Sequence, residues 1–374
     1  MFEPDSAPPW KGTSRLEAKS PAPTQGWISS PATDLIFFGF AWIPIFLAYV
    51  VAEKAGLRGP VWPLLLVFVL FINFAHRHLT LPLVYADNEQ FRRRPGAYVA
   101  LPIFFLLLTT ATLLYMEPGH SKPIRPYFTV LVFISVAWTI YHTLMQKMGI
   151  LRIYSRKAGH GSARLDKAMI FSWFAYLFFA CAASPAIEKR AAKLSSAGKI
   201  LKSILEPIFP ALPYFAWLSL ALALVVSFFY LKAELSGHRP FHWPKNLYLL
   251  SVLLLYSTFL YDFLVGYAVF GFSHAIEYLA FVYIFAGRKY RARAPSSSWM
   301  AKAVTRQALS FGVFLLAMGL LYLPWRWVSN DTLQWYVAGS SFLHFIYDGW
   351  IWKVRDPQVA KPLGISNPLA EGSA

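Results

Sequence analysis

Residues 266–293 read GYAVFGFSHAIEYLAFVYIFAGRKYRAR, an apolar run of membrane-spanning length that carries His274 and Glu277 in its interior and ends on Arg288, Lys289, Arg291 and Arg293. Three positions apart on a helix, the imidazole and the carboxyl share one face. Both are costly at membrane depth unless each finds a partner, so the pair marks a site. The basic run marks the cytoplasmic end of the helix.

Outward from this stretch, apolar runs of spanning length recur at about 34–52, 61–85, 97–116, 127–148, 168–187, 208–231, 246–264, 267–287, 307–328 and 333–352. The stretch 246–287 accommodates two helices and breaks near Asp262 and Gly266, with Asp262 an interfacial residue at a helix end. With the N-terminus in the cytoplasm, the inner segments hold 24 of the 35 Lys and Arg residues and the outer loops 10, while Arg77 lies inside a span. Half of the outer positive charges fall in one stretch, EKRAAKLSSAGKILKSILEPI at 188–208. Its spacing predicts an amphipathic helix on the outer surface and keeps an eight-span arrangement as the alternative. The expected fold is all-α: a polytopic membrane protein of about ten transmembrane helices with both termini cytoplasmic. A polar, Pro-rich arm without an apolar leader occupies 1–32, one transmembrane domain 33–353, and a tail 354–374. The expected location is a bacterial inner (plasma) membrane.

Composition agrees. The chain is 57% hydrophobic and 14% charged, against roughly 45–50% and 25% for soluble domains. The net charge of +17 is read as basic loops facing an anionic leaflet and not as a nucleic-acid footprint. Cys181 is the only cysteine, which excludes a disulfide framework and a thiolate metal site. No G-x-G-x-x-G, Walker A, H-E-x-x-H or G-x-S-x-G motif occurs, so ATP-driven transport and serine-hydrolase chemistry have no support. The glycines of GFGF and GYAVFG serve close helix approach.

Polar groups within the spans concentrate in the second (Asn73, His76, Arg77, His78), fourth (His142, Gln146), eighth (His274, Glu277, Tyr278) and tenth (His344, Asp348). These even-numbered spans all run outside to inside. Each cluster lies toward the cytoplasmic end: His142 is five residues before Lys147, His344 nine before Lys353 and His274 fourteen before Arg288. His142 with Gln146, and His344 with Asp348, are i,i+4 pairs, so each imidazole shares a face with an oxygen-bearing group, as a metal ligand and its neighbour would. His76 and His78 point roughly opposite ways on a helix. One faces the site, unless Pro82 distorts the turn enough for both to converge. Imidazoles and carboxylates without thiolate suit non-haem iron, mononuclear or dinuclear, with zinc or haem as alternatives. Two blander readings stand beside this one: interhelical hydrogen bonding by histidines, and a proton or ion pathway. His120, His160, His238 and His242 fall in loops and are read as solvated, with His238 and His242 the pair that could reach the site. Trp325, Trp327, Trp335, Trp350 and Trp352 are read as an interfacial belt.

The stretches FAHRH, YHTLMQ, SHAIEYL and HFIYDGWIW resemble histidine-rich membrane oxygenases. In being polytopic with a few intramembrane histidines, the chain resembles the Brp/Blh-type carotenoid cleavage dioxygenases. In the cytoplasmic placement of the site it is more distantly similar to membrane fatty-acid desaturases and hydroxylases, whose H-x-x-H-H box does not occur here; the H-x(3)-H spacing occurs at His238 and His242, in a loop. The resemblance implies an iron oxygenase and carries over no individual residue.

The expected function is a membrane-embedded metalloenzyme, a non-haem iron oxygenase, hydroxylase or desaturase acting on a lipid or isoprenoid with dioxygen and a redox partner on the cytoplasmic side. His76 or His78, His142, His274 and His344 are the expected metal ligands. Glu277 and Asp348 are further ligands, or groups that relay protons and orient a ligand histidine. A proton- or metal-ion-coupled transporter and a bis-histidine haem protein are the alternatives.

Overall fold

The computed structural model describes residues 26–115, 124–159, 161–185, 206–236, 241–291, 308–320 and 330–365. Among these the chain is helical without strands. Ten helices of 12 to 35 residues overlap the ten apolar runs: α1 (Ile43–Lys54), α2 (Arg58–Tyr85), α3 (Pro95–Tyr115), α4 (Ile124–Ala158), α5 (Ala163–Ala182), α6 (Leu212–Leu235), α7 (Trp243–Tyr261), α8 (Phe263–Arg291), α9 (Ala308–Leu320) and α10 (Asn330–Ile351). Four stretches, Arg58–Tyr85, Ala163–Ala182, Phe209–Leu235 and Phe263–Tyr290, are long and apolar enough to span a membrane. A fifth arises if the bent pair Pro31–Gly39 and Ile43–Lys54 is one span. The surface matches an integral membrane protein, with Leu218, Leu222, Phe228 and Leu231 of α6 exposed.

Local chemistry sets the boundaries. Asp262, in extended conformation, ends α7 and accepts hydrogen bonds from Leu264 N (2.8 Å) and Val265 N (3.2 Å), which caps α8. The expected break is therefore a one-residue joint. A Cβ on Gly266 would come within 2.6 Å of Phe259 Cα, so only glycine lets the two helices fold back this tightly. Pro63 and Pro82 sit inside α2 without ending it. His242 caps α7 by accepting from Lys245 N at 3.2 Å and does not reach the imidazole cluster; His120, His160 and His238 lie outside the described residues. The amphipathic stretch 188–208 also lies mostly outside them.

The helix that opens the sequence argument is also the centre of the bundle. Of the most apolar window of α8, 78% is buried, against 17% for the window that includes α6. Helix α8 packs on α7, α2 and α4, and α10 packs on α2 and α4, so the four histidine-bearing helices form a closed ring of neighbours. Their C-terminal ends lie together. Lys289 of α8 pairs with Asp87 just after α2 at 2.5 Å. Arg156 of α4 donates to Val354 O just after α10 at 3.2 Å. The four helices therefore run in the same direction and share one basic end.

Several polar residues assigned by sequence to loops or interfaces are buried instead. Lys147, read as the edge of the fourth span, is fully buried, because α4 is 35 residues long and extends about 52 Å, which leaves Lys147 mid-helix. Lys245 is likewise buried, paired with Glu234 (2.5 Å) and Asp166 (3.1 Å), while Arg152 and Ser155 complete the shell of Asp166 at 2.6 and 2.8 Å. Trp335 is buried, and Trp352 packs on Phe281 and Phe285 with centroids 4.9 and 5.0 Å away, so these two tryptophans belong to the interior and not to an interfacial belt. Trp325 and Trp327 lie outside the described residues. The arm joins the bundle by Ile28, whose N–H donates to Asp34 at 2.6 Å and whose carbonyl accepts from Arg288 at 2.8 Å. The tail packs as well, with Val359, Ala360 and Leu363 buried.

Candidate metal centre

His76 on α2, His274 on α8, His142 on α4 and His344 on α10 meet in the interior as a four-membered ring of imidazoles. Successive centroid separations are 4.9 Å (76–274), 5.1 Å (274–142), 5.0 Å (142–344) and 4.8 Å (344–76). Across the ring, His274 and His344 are 6.3 Å apart. Each neighbour meets the next edge-on, at interplanar angles of 85°, 86°, 68° and 89°. Among the described residues, two groups offer ligand atoms close enough to share an ion: His76, His274 and His344, and His142, His344 and Asp348.

The ring nitrogens carry the argument for a bound cation. Among the described residues, both nitrogens of His76, Nε2 of His142, Nδ1 of His274 and Nε2 of His344 are buried with no partner at hydrogen-bond geometry. Buried polar atoms are nearly always paired, and unpaired nitrogens on four neighbouring imidazoles would cost several kcal/mol. A cation would satisfy the facing lone pairs of His76, His274 and His344, or those of His142 and His344 together with Asp348. Asp348 adds to this: its Oδ2 faces Nε2 of His142 at 3.7 Å and Nε2 of His344 at 3.6 Å. At these separations no hydrogen bond joins the carboxyl to either imidazole, and a cation between the three would engage all of them.

Around the ring, a hydrogen-bond shell sets tautomers. Thr80 Oγ1 lies 2.7 Å from Nδ1 of His344 and donates to Asp348 Oδ1 at 3.2 Å; Tyr278 donates to the same oxygen at 2.9 Å. Thr80 has one proton, and giving it to the carboxylate makes Nδ1–H of His344 the donor to Thr80. Nε2 of His344 is then left with its lone pair toward the ring, the arrangement metal-binding histidines adopt.

The structure separates the expected residues. His76 is in the ring, whereas His78 is turned away, bonded to Phe74 O at 2.8 Å and to Tyr336 OH. Pro82 does not bring the two together; the i,i+2 offset on a continuous helix keeps them apart. Glu277 is not beside the ligand nitrogens. It forms a buried ion pair with Lys147, accepts from Ser273 Oγ at 3.1 Å and from Gln146 Nε2 at 3.3 Å. Gln146 also donates to His274 O at 2.9 Å, which links Glu277 to the backbone that carries His274. Arg77, one residue after His76, donates to Ser340 Oγ at 3.2 Å and Val337 O at 3.4 Å.

Sequence reading missed the parts played by Thr80 and Lys147. Thr80 is four residues after His76, the same helical spacing that singled out Gln146 and Asp348, and that spacing was a usable signal. Lys147 had none, because a basic residue at the end of an apolar run looks like a membrane boundary.

A cavity of about 420 Å³ adjoins the ring. His142 and Asp348 form part of its wall, with Trp138, Tyr141, Met145, Ile150, Phe281 and Phe345 making most of the remainder apolar. No protein-family model, curated protein or solved structure matches the chain.

Proposed function

We propose that this chain is a membrane-embedded metalloenzyme, a non-haem iron oxygenase, hydroxylase or desaturase acting on a lipid or isoprenoid, with ten spans and both termini in the cytoplasm. The observation that carries the reading is the ring of four imidazoles with unpartnered nitrogens, one from each of four parallel helices. His76, His142, His274 and His344 are the residues to hold the ion, in a donor set of nitrogen and oxygen without thiolate that suits iron. Iron bound there would supply dioxygen activation beside a hydrocarbon, with electrons delivered by a redox partner at the basic, cytoplasmic end.

The rest of the chemistry belongs to the protein. Thr80 orients the His344 ring. Asp348 borders both the ring and the cavity, so its Oδ2 is placed to take or give a proton between them. The apolar wall keeps bulk water from the cluster, as control of a reactive oxidant requires. Neighbouring rings 4.8–5.1 Å apart leave no gap for a porphyrin plane between them, which favours non-haem iron over a haem held by two histidines.

Metal analysis together with the optical spectrum of the purified protein tests the reading. Stoichiometric iron without a Soret band is the expected result. A Soret band would replace it with a haem protein, and the absence of any bound metal after reconstitution would favour an ion or proton pathway.

A further inference from the structure

The cavity beside the ring is long, and its shape and lining say more than its volume. Along α4 its wall runs from Trp138 through His142, Met145, Gly149 and Ile150 to Ile153, a rise of about 22 Å along the helix. The opposite wall descends from Phe345 and Asp348 past Gly349 and Trp352 to Val354. The imidazole ring lies near the upper end. Below His142 the wall follows α4 for eleven residues, about 16 Å, toward the basic end, where Arg156 sits on the carbonyl of Val354. Trp138 and Tyr141 at the upper rim are 45% and 49% exposed on the outer face of the bundle, so the cavity is open sideways.

Two glycines keep the middle of this groove clear. Gly149 and Gly349 both line it, and a Cβ built on either meets nothing within 4 Å. Neither glycine has a positive φ, so neither is required by the backbone; what each supplies is space. The polar groups at the upper end are committed elsewhere: Tyr278 to Asp348, and Gln146 to His274 O and Glu277. What remains there, Nε2 of His142 and the Asp348 Oδ2 that faces it, belongs to the proposed metal site, and no lysine or arginine lines this end to take an anionic head. The positive charge lies at the other end, on the exposed Arg156.

We infer that this groove takes a single acyl chain of a lipid with an anionic head, the head at the basic end near Arg156 and the chain rising past Gly149 and Gly349 to the imidazole ring. This rests on the reading of the ring as a metal centre and narrows its substrate class. An extended chain advances about 1.25 Å per carbon, so 16 Å places the reacting carbon about a dozen positions from the head. Gly149 and Gly349 are then specificity-determining residues, which decide whether a chain reaches the ring at all.

The test uses the full chain in lipid nanodiscs with two photoreactive forms of hexadecanoic acid, one with a diazirine near the methyl end and one with it near the carboxyl. Labelled peptides are mapped by mass spectrometry, and bound iron is measured on the same samples. The methyl-end probe should label near His142 and Phe345, the carboxyl-end probe near Ile153 and Val354. Gly149→Phe and, independently, Gly349→Phe should cut methyl-end labelling at the ring about tenfold or more with iron content unchanged, while Gly149→Ala should behave as wild type. Inverted labelling, labelling confined to outward faces such as α6, or full labelling in both Phe variants with iron intact would overturn the inference. Loss of iron binding in the wild type with the labelling pattern preserved would sink the metal reading and leave the acyl groove standing.

Discussion

Thr80 Oγ1 and His344 Nδ1 lie 2.7 Å apart although 264 positions separate them in the chain. This contact ties the orientation of one proposed ligand on α10 to a hydroxyl on α2, one helical turn beyond His76. Thr80→Val keeps the shape and removes the acceptor for Nδ1–H. It should weaken metal binding by about 10–100-fold, as loss of a ligand-orienting partner does, and Thr80→Ser should recover most of it. Metal titration of the solubilised protein reads the effect; equal affinity in the Val variant and the wild type would remove Thr80 from the site.

His76 and His78 should behave differently. His76→Ala is expected to lose most bound metal while the protein stays folded and inserted. His78→Phe should keep its metal and lower thermal stability, since it gives up the bonds to Phe74 O and Tyr336. Similar metal loss in the two variants would contradict the separation of their side chains.

The Lys147–Glu277 pair, with side chains 0% and 1% exposed, predicts non-additive stability. Glu277→Gln alone leaves a buried ammonium without its counter-charge and should cost about 3–5 kcal/mol. Adding Lys147→Met should restore most of that loss. Thermal unfolding of the single and double variants in detergent is the measurement, and a double variant no more stable than Glu277→Gln would mean the pair is not electrostatically coupled.

Outside the spans, Asp87 predicts an acid-dependent step. Burial pushes its carboxyl up, but hydrogen bonding and charge from Lys289, with hydrogen bonds from Tyr290 and Gln90 N, outweigh that and hold it below the ordinary carboxyl value of 3.8. A group depressed in the folded state stabilises it above the unfolded value and loses that contribution as pH falls through the folded one. Asp87→Asn should therefore be less stable than the wild type at neutral pH, with the gap narrowing below about pH 4. A stability difference independent of pH from 7 to 3 would show that the carboxylate charge plays no part.

Reporters fused after residue 159 and at the C-terminus test the topology. Both should report the cytoplasm, because the ends of α4 and α10 lie together at the basic end. Opposite locations would contradict this parallel arrangement.

Much of this was legible in the chain. Ten apolar runs became ten helices because hydropathy and helical periodicity act over a few turns and need no distant partner. His142, His274 and His344 stood out because an imidazole inside an apolar run is costly wherever the helix finally packs. The pairing of His344 with Asp348 was readable from the i,i+4 spacing.

What the sequence by itself determined, then, is the all-helical class with its long apolar helices, the four helices that carry histidines, and the cost of burying those histidines unpaired. Only the tertiary structure decided that His76 and not His78 enters the ring, that Glu277 belongs to Lys147, that Thr80 orients His344, and that Gly149 and Gly349 leave room beside the ring. The physical reason is one of range. Burial cost and periodicity are properties of a single helix, whereas these assignments depend on how α2, α4, α8 and α10 rotate against one another, joining side chains as much as 268 residues apart.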